Sequence, residues 1–358
     1  MTRSYEKKGR LRKDCWAILL TCLLITFSCL TPSFAANTKT ASIALPSVNV
    51  LTWWGYLSPP WVKPLVEQTC HVKLSYDEYS TADEFLRRWE DYKDSYDIVI
   101  FDDVMYGVIK GDISGKSTHD LSSQAKHYYP AIRAHFYQQH YPNNIAYFYQ
   151  AISSFLWNPD NIQIEPSDNL YQIFRKAGAH TAAIADDPIV ASFLFNPYAD
   201  YDPLALIKMK QRVRLYVTSD YTNIASTKDF SFAYSDAGTA LQMQALHHNK
   251  LKISILPQYT FASTDLIAQL NDNSTTTCVA DLLTSRSFLY KLMYDSYYFS
   301  PYGDLPKMGN SNYLDLYQQY LSLLPTIQWI YIPTISEFEV TNRWWQLMKL
   351  SASEQILG

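Results

Sequence analysis

Side chains that could act as metal ligands, nucleophiles or acid–base pairs are scattered along this chain. His247 and His248 form its one adjacent histidine pair. No further ligand stands near them at metal-site spacing, so they read as an exposed helix end. His119-Asp120 is an isolated dipeptide and reads as loop. There is no glycine-rich phosphate loop, no G-x-S-x-G elbow and no H-E-x-x-H pair. Only 10 glycines occur in 358 residues, which disfavours nucleotide-cradling loops. No cofactor is expected, and no motif points to an enzyme. What the chain does carry is aromatics and carboxylates at three places that the folding pattern brings together: Trp53 to Tyr56, Asp77 to Tyr79, and Asp102-Asp103. An enzyme is the runner-up class, and no specific motif supports it.

The pattern that positions them alternates strand and helix. Val48–Trp53 reads as a strand. Pro59-Pro60 opens a helix through Trp61, Leu65 and Val66, since proline is tolerated in a first turn. Val72–Tyr76 is a second strand. Thr81-Ala82-Asp83-Glu84 is a capping box, and Phe85, Leu86 and Trp89 follow it on one helix face. Tyr96–Phe101 is continuously apolar, as expected of a parallel strand covered on both faces. A second αβ series follows: strand at Ile145–Gln150, helix at Leu170–Ala177, strand at Thr181–Ala185 ending in Asp186-Asp187-Pro188, strands at Arg214–Val217 and Phe230–Tyr234, and a mostly helical stretch from Tyr313 to Leu350. Such alternation gives an α/β sheet. Ligands bind beyond the C-terminal ends of its strands, so the three acidic and aromatic segments share one crevice.

Composition bounds the setting. The chain is 47% hydrophobic and 18% charged, with 29 Tyr and 9 Trp, enough for a sizeable core in one large or two smaller domains. The tyrosines suit either a Tyr-rich core or an aromatic-lined cleft. Six Lys/Arg precede the apolar run Trp16–Leu30, and Ser33-Phe34-Ala35-Ala36 follows, so residues 1–35 read as a cleaved secretory signal peptide and 36–47 as a tail. The run is short for a membrane span, although an uncleaved anchor would share its features. Removing 1–35 takes away six basic and two acidic residues and leaves 24 basic against 32 acidic, a net charge near −8. An acidic exported protein is a poor nucleic-acid binder and suits a cationic partner. Cys70 and Cys278 are the cysteines that survive processing, and in an oxidising compartment they form either one disulfide or two buried thiols.

In this order the segments resemble the spermidine/putrescine-binding proteins, type II periplasmic receptors of ABC importers. Val50–Pro60 resembles the family's opening N-W-[ST]-[DE]-Y segment. Tyr96–Ile100 is similar to its Y-D-[LV]-V strand, Ala185-Asp186-Asp187 to a T-D-D segment, Tyr234–Gly238 to a G-W-[AS]-G-D turn, and Val340–Trp345 to the C-terminal helix. The resemblance covers roughly residues 48 to 350. It implies a two-lobed α/β fold with two hinge-crossing segments: lobe 1 at 48–148 and 253–298, lobe 2 at 149–252 and 299–358. It implies a ligand held between the lobes, a small polyamine-like cation delivered to the permease subunits of an ABC transporter from the periplasm. Trp53 and Tyr56 would line the cleft, Asp187 and Asp281 would pair with ammonium groups, and Tyr298 would match a tyrosine after the second hinge strand. Carboxylates suit buried ammonium groups, and aromatic faces suit both cations and methylenes.

The departures from the pattern carry information too. The family's acid after the first Trp is Gly55 here. Its turn Trp is replaced by Asp236 and its turn Asp by Thr239. The Glu three residues after the T-D-D aspartate falls at Val190. New acids stand at Asp102 and Asp103, where the family has small hydroxyl residues. Asp102, Asp103 and Asp236 are therefore further candidates for the ligand site. The charge pattern has moved, which fits a different cation or a non-polyamine solute. Trp53 has a core reading and Asp187, before Pro188, a helix N-cap reading beside the ligand one. A sensor that docks on a membrane signalling protein would use the same cleft.

Overall fold

A computed structural model describes residues 45–195, 210–218, 222–305, 307 and 311–353. The signal-peptide reading and most of the tail lie outside the described residues.

Strand β1 (Ser47–Trp53) runs parallel to β2 (Lys73–Tyr79) and β3 (Ile98–Asp102), with Val50, Leu51, Ile98 and Val99 wholly buried. The helix between β1 and β2, α1 (Val62–Cys70), begins after Pro59-Pro60. Helix α2 (Ala82–Tyr92) begins where the capping signal placed it: Thr81 Oγ1 accepts from Glu84 N at 3.1 Å. The reciprocal half of the box is displaced by one residue, because Glu84 accepts from Ser80 N rather than from Thr81 N. Helices α3 (Tyr106–Ile113) and α4 (Pro130–Gln138) lead to β4 (Ile145–Trp157), which is buried along twelve of its thirteen residues. Then come α5 (Leu170–Ala177), β5 (Thr181–Ile184), α6 (Pro188–Phe195), β6 (Arg214–Val217), α7 (Thr222–Ala225), β7 (Phe230–Asp236), α8 (Ala237–Leu246), β8 (Lys252–Ser254) and β9 (Phe261–Gln269). Helices α9 (Ser274–Thr284), α10 (Arg286–Ser296) and α11 (Ser311–Leu323), the short β10 (Gln328–Trp329) and the long α12 (Ile335–Ser353) complete the chain.

Strand order is β2-β1-β3-β9-β4-β7-β5-β6. Two strands make this a two-lobed α/β fold. β4 pairs antiparallel with β9 as far as Ile152, then with β7 from Ser153 onward, so it leaves one lobe and enters the other. The chain returns just before β9. Tyr259 takes a bond from the Tyr234 hydroxyl in the second lobe (2.6 Å), and β9 then pairs with β3 in the first. β8 still pairs with the second-lobe half of β4, at Phe155–Trp157. At the crossing, the buried Gln150 side chain donates to Tyr149 O and Thr264 Oγ1 and accepts from the Tyr320 hydroxyl. Its backbone bridges Phe299, so a third segment meets the hinge there.

Much of the tyrosine content is core. Tyr147, Tyr149, Tyr234, Tyr313, Tyr317 and Tyr320 are among the largest fully buried side chains. Several phenols reach backbone carbonyls, such as Tyr79 to Ile100 (2.9 Å) and Tyr302 to Thr284 (2.6 Å), which lets a polar tip be buried without the penalty of an unpaired group. Cys70 at the end of α1 and Cys278 in α9 are joined in a disulfide with Cα atoms 5.7 Å apart, closing 208 residues of sequence. Among the described residues no helix is long and apolar enough to cross a membrane.

A cross-link over so long a loop restricts the unfolded chain strongly. Cys70→Ser with Cys278→Ser should lower unfolding free energy by about 2–5 kcal/mol in urea titrations. A variant of unchanged stability would mean that the bond contributes nothing to the fold.

Candidate functional site

The site is assembled at strand ends. Trp53 closes β1 and packs on Tyr79, the last residue of β2, with ring centroids 4.5 Å apart. The next turn is fixed by backbone bonds: Trp54 N donates to Tyr79 O (2.8 Å) and Gly55 N to Glu78 Oε1 (2.9 Å). Gly55 has φ +85°, a conformation that side chains disfavour, which accounts for glycine where the related pattern has an acid. The turn sends Tyr56 back towards the hinge strands, where its hydroxyl donates to Asp265 Oδ2 at 2.6 Å. Asp265 lies directly opposite Asp102 in the β3–β9 register. The first lobe thus presents two carboxylates side by side.

The second lobe presents two more, each at the start of a helix. Asp187 Oδ1 accepts from the backbone N–H groups of Ile189 (2.8 Å) and Val190 (2.9 Å) and so caps α6. Asp236 ends β7 and caps α8, accepting from Thr239 N (2.7 Å) and Thr239 Oγ1 (2.9 Å). Tyr298 joins the two lobes. Its ring is 5.5 Å from that of Tyr56 and 5.3 Å from that of Tyr149, and its hydroxyl lies 3.5 Å from Thr239 Oγ1. The ring also lies against Gly238, where a Cβ would stand 3.0 Å from it, so glycine is needed for this close approach.

Asp103 sits behind Asp102 at 1% exposure, eased only by the Thr264 backbone N–H, and no hydrogen bond of good geometry reaches its carboxylate. The Tyr141 hydroxyl, whose ionisation burial and then Asp103 oppose, is likewise buried, beside the Tyr147 hydroxyl. The indole N–H of Trp53 is also buried, with the Asp265 carboxylate as its polar neighbour. Groups of this kind are costly unless a ligand or ordered water satisfies them.

Every one of these acids is held above the ordinary carboxylate range. Burial is the first cause at Asp102, Asp103, Asp187, Asp236 and Asp265, and mutual repulsion adds to it at four of them. Asp265 is pushed well up by burial and then by Asp102, against the opposing bond from Tyr56. Asp187 is raised to about 7, by burial and then by Asp102 across the cleft. No lysine or arginine is among the groups that chiefly shift them. Lys349, on α12, is bound to the neighbouring Asp186 at 2.9 Å, where Trp345 Nε1 also donates.

The structure thus brings Trp53, Tyr56, Asp102, Asp103, Asp187, Asp236 and Tyr298 to one region. It does not bring Asp281 there. Asp281 lies on α9, whose Val279, Ala280 and Leu283 are turned into the core, and its half-exposed carboxylate pairs with His119 Nε2 at 2.7 Å. The carboxylate that the sequence reading missed is Asp265. Its signal was available: an aspartate directly before the apolar Leu266-Ile267-Ala268 in the strand-like run Phe261–Leu270. Among the described residues no group of three or more His, Cys, Asp or Glu is arranged to hold a metal ion.

No family model matches the chain, and no curated protein does. Solved structures do. The chain is similar to a spermidine/putrescine ABC transporter substrate-binding protein from Streptococcus pneumoniae (TM-score 0.65, 12% identity, 86% of this chain and 99% of that one). It is similar to a periplasmic thiamin binding protein (TM-score 0.62, 12% identity, 86% and 96%) and to iron-bound HitA from Pseudomonas aeruginosa (TM-score 0.56, 9% identity, 78% and 98%). At these identities the likeness is one of fold: the two-lobed fold of periplasmic solute-binding proteins, which serves unlike ligands.

A carboxyl whose folded pKa lies above its unfolded value near 4 burdens the fold once it must ionise. Stability is then full below about pH 4 and is lost as pH rises through the folded pKa, about 7 for Asp187. Ligand-free protein should therefore melt lower at pH 8 than at pH 5. Asp103→Asn, which removes a buried acid pushed well up by burial, should raise the pH 8 midpoint and flatten the profile. A midpoint that rises steadily from pH 5 to 8 would contradict the burial of these groups as acids.

Proposed function

We propose that this protein is an exported receptor that captures a small organic cation with more than one ammonium group, polyamine-like, and delivers it to an ABC permease from the periplasm. One observation carries the reading: carboxylates from both lobes converge between aromatic walls, and among the described residues no lysine or arginine is a chief influence on them. Asp102 and Asp265 would receive ammonium groups from the first lobe, and Asp187 and Asp236 from the second. Trp53, Tyr56 and Tyr298 would cover the alkyl chain and the cation faces. Asp103, behind Asp102, would deepen the negative potential. The two lobes would meet near Gln150, between β8 and β9, and near Phe299.

A cation suits this site for a reason of solvation. Burying several like-charged carboxylates is unfavourable until opposite charge arrives with them, and each ammonium that enters can supply up to three donors to acceptors already in place. Bound cations would also draw the acids back towards ionisation, so capture at neutral pH would release protons.

Titration calorimetry with putrescine, spermidine and thiamin decides among ligands. Asp265→Ala and Asp102→Ala should each weaken spermidine binding by about 2–5 kcal/mol, about thirtyfold to several thousandfold, by leaving an ammonium short of its partner. Trp53→Ala should cost about 0.5–2 kcal/mol. Asp281→Ala should leave affinity unchanged. Repeating the titration in buffers of different ionisation enthalpy should reveal proton release. Binding of a neutral or anionic solute, with no heat from any cation, would overturn the proposed ligand class and leave the fold untouched.

A further inference from the structure

The arrangement of the acids bears on how the hinge is driven. The described form is closed across the cleft. Tyr56 of the first lobe touches Tyr298, which reaches Thr239 at the mouth of the second. Outside the cleft, α12 spans the same gap. Its Asn342 and Gln346 donate to Asp83 of the first lobe (3.3 and 3.2 Å), while its Trp345 and Lys349 hold Asp186 of the second. In this closed form Asp102 acts repulsively on Asp187, and Asp236 on both Asp102 and Asp265, each pair drawn from opposite lobes.

We propose that the like charge of Asp102 and Asp265 on one lobe and Asp187 and Asp236 on the other holds the empty lobes apart at neutral pH. Protons and cationic ligand are then interchangeable closing agents. The proposal rests on the reading of the cleft as the ligand site, but not on the identity of the ligand.

The surroundings support it from every side. β3 contributes Asp102, and the turn that follows it the buried Asp103. β9 contributes Asp265, whose partner Tyr56 is itself held protonated by burial and by that acid. β7 contributes Asp236, faced by Tyr298, which is likewise held protonated. β2 contributes Tyr79, again protonated. α6 contributes Asp187, next to Asp186 and its committed partner Lys349. With no uncommitted lysine or arginine among these described neighbours, two states relieve the repulsion with the lobes together: neutral acids, or acids balanced by a guest. Opening relieves it by letting water in between. A ligand shifts such an equilibrium only by binding the closed form better, which bridging both acid pairs does.

Small-angle scattering on ligand-free mature protein tests this directly. A compact chain of this length has a radius of gyration of about 20 Å. The expected result is a larger radius at pH 8 that contracts on acidification to pH 5. Asp102→Asn with Asp236→Asn removes one charge from each lobe. Asparagine can still accept the bond that caps each turn, so this variant should stay compact at pH 8. Should the double variant not fold, each single variant should reduce the pH-dependent change. A radius that is constant from pH 5 to 8, or variants that open as the parent does, would overturn the proposal. No ligand is present in these measurements. Acid-driven closure without polyamine heat in calorimetry would sink the ligand class alone, and polyamine binding without acid-driven closure would sink the hinge mechanism alone.

Discussion

The constraint on which the rest depends is the burial of neighbouring carboxylates with no counter-ion beside them among the described residues. A buried, unpaired acid is among the costlier features a protein can carry, and here Asp102, Asp103 and Asp265 adjoin one another on neighbouring strands. The remainder of the first lobe is built in a way that tolerates it. Its sheet is covered by wholly apolar positions such as Val50, Val99, Ile100 and Leu266, and α1 is tied to α9 by a covalent bond. The tyrosine-rich core pairs many of its own polar tips and so adds few further unsatisfied groups. Function and stability conflict in the cleft, and the surrounding packing offsets the conflict.

How the carboxylates are aimed follows from helix and turn caps. Asp187 caps α6 and Asp236 caps α8, while Asp102 accepts from Val104 N (3.2 Å) at the turn that follows β3. Structural and ligand roles looked like alternatives for Asp187 in the sequence, and the geometry makes them compatible. One oxygen, Oδ1, takes both backbone N–H groups, which fixes the side chain, and among the described residues neither of these bonds occupies Oδ2. A cap therefore orients an acid at little cost in side-chain entropy, and it uses a residue type that strand-to-helix turns already favour. Asp265 lies within a strand and has no cap available, so a side chain, Tyr56, holds it instead.

This also explains what could be read from the sequence. The strand-to-helix order was legible because apolar runs and capping residues are local signals: α5 and β6 fall on the residues expected, and α2 starts at its cap. The acids at strand ends were legible for the same reason, since the end of a parallel strand marks the crevice. Two features were not. β4 was expected to stop at Gln150 and continues to Trp157, because its second half is stabilised by β7 and β8, partners that are distant in sequence. Asp265 was missed and Asp281 named in its place because the return strand β9 has no parallel βα signature. It enters the sheet antiparallel, and its one acid becomes meaningful only in register with Asp102.

That register separates this cleft from a generic one. Directly opposed residues on antiparallel strands stand about 4.5–5.5 Å apart at Cβ, close enough for two carboxylates to share one proton or one ammonium head but too close for both to ionise freely. On the facing lobe, Asp187 and Asp236 come from different strand ends, β5 and β7, which are themselves neighbours in the sheet. The result is two facing sets of acids of the same sign, each rigidly mounted, on bodies joined by hinge strands. Attraction between the lobes must then come from whatever carries positive charge into the gap. On the proposed reading, a site of this kind would select for charge and for the spacing of charges before it selects for shape, within a fold whose solved structures hold unlike ligands on a common frame.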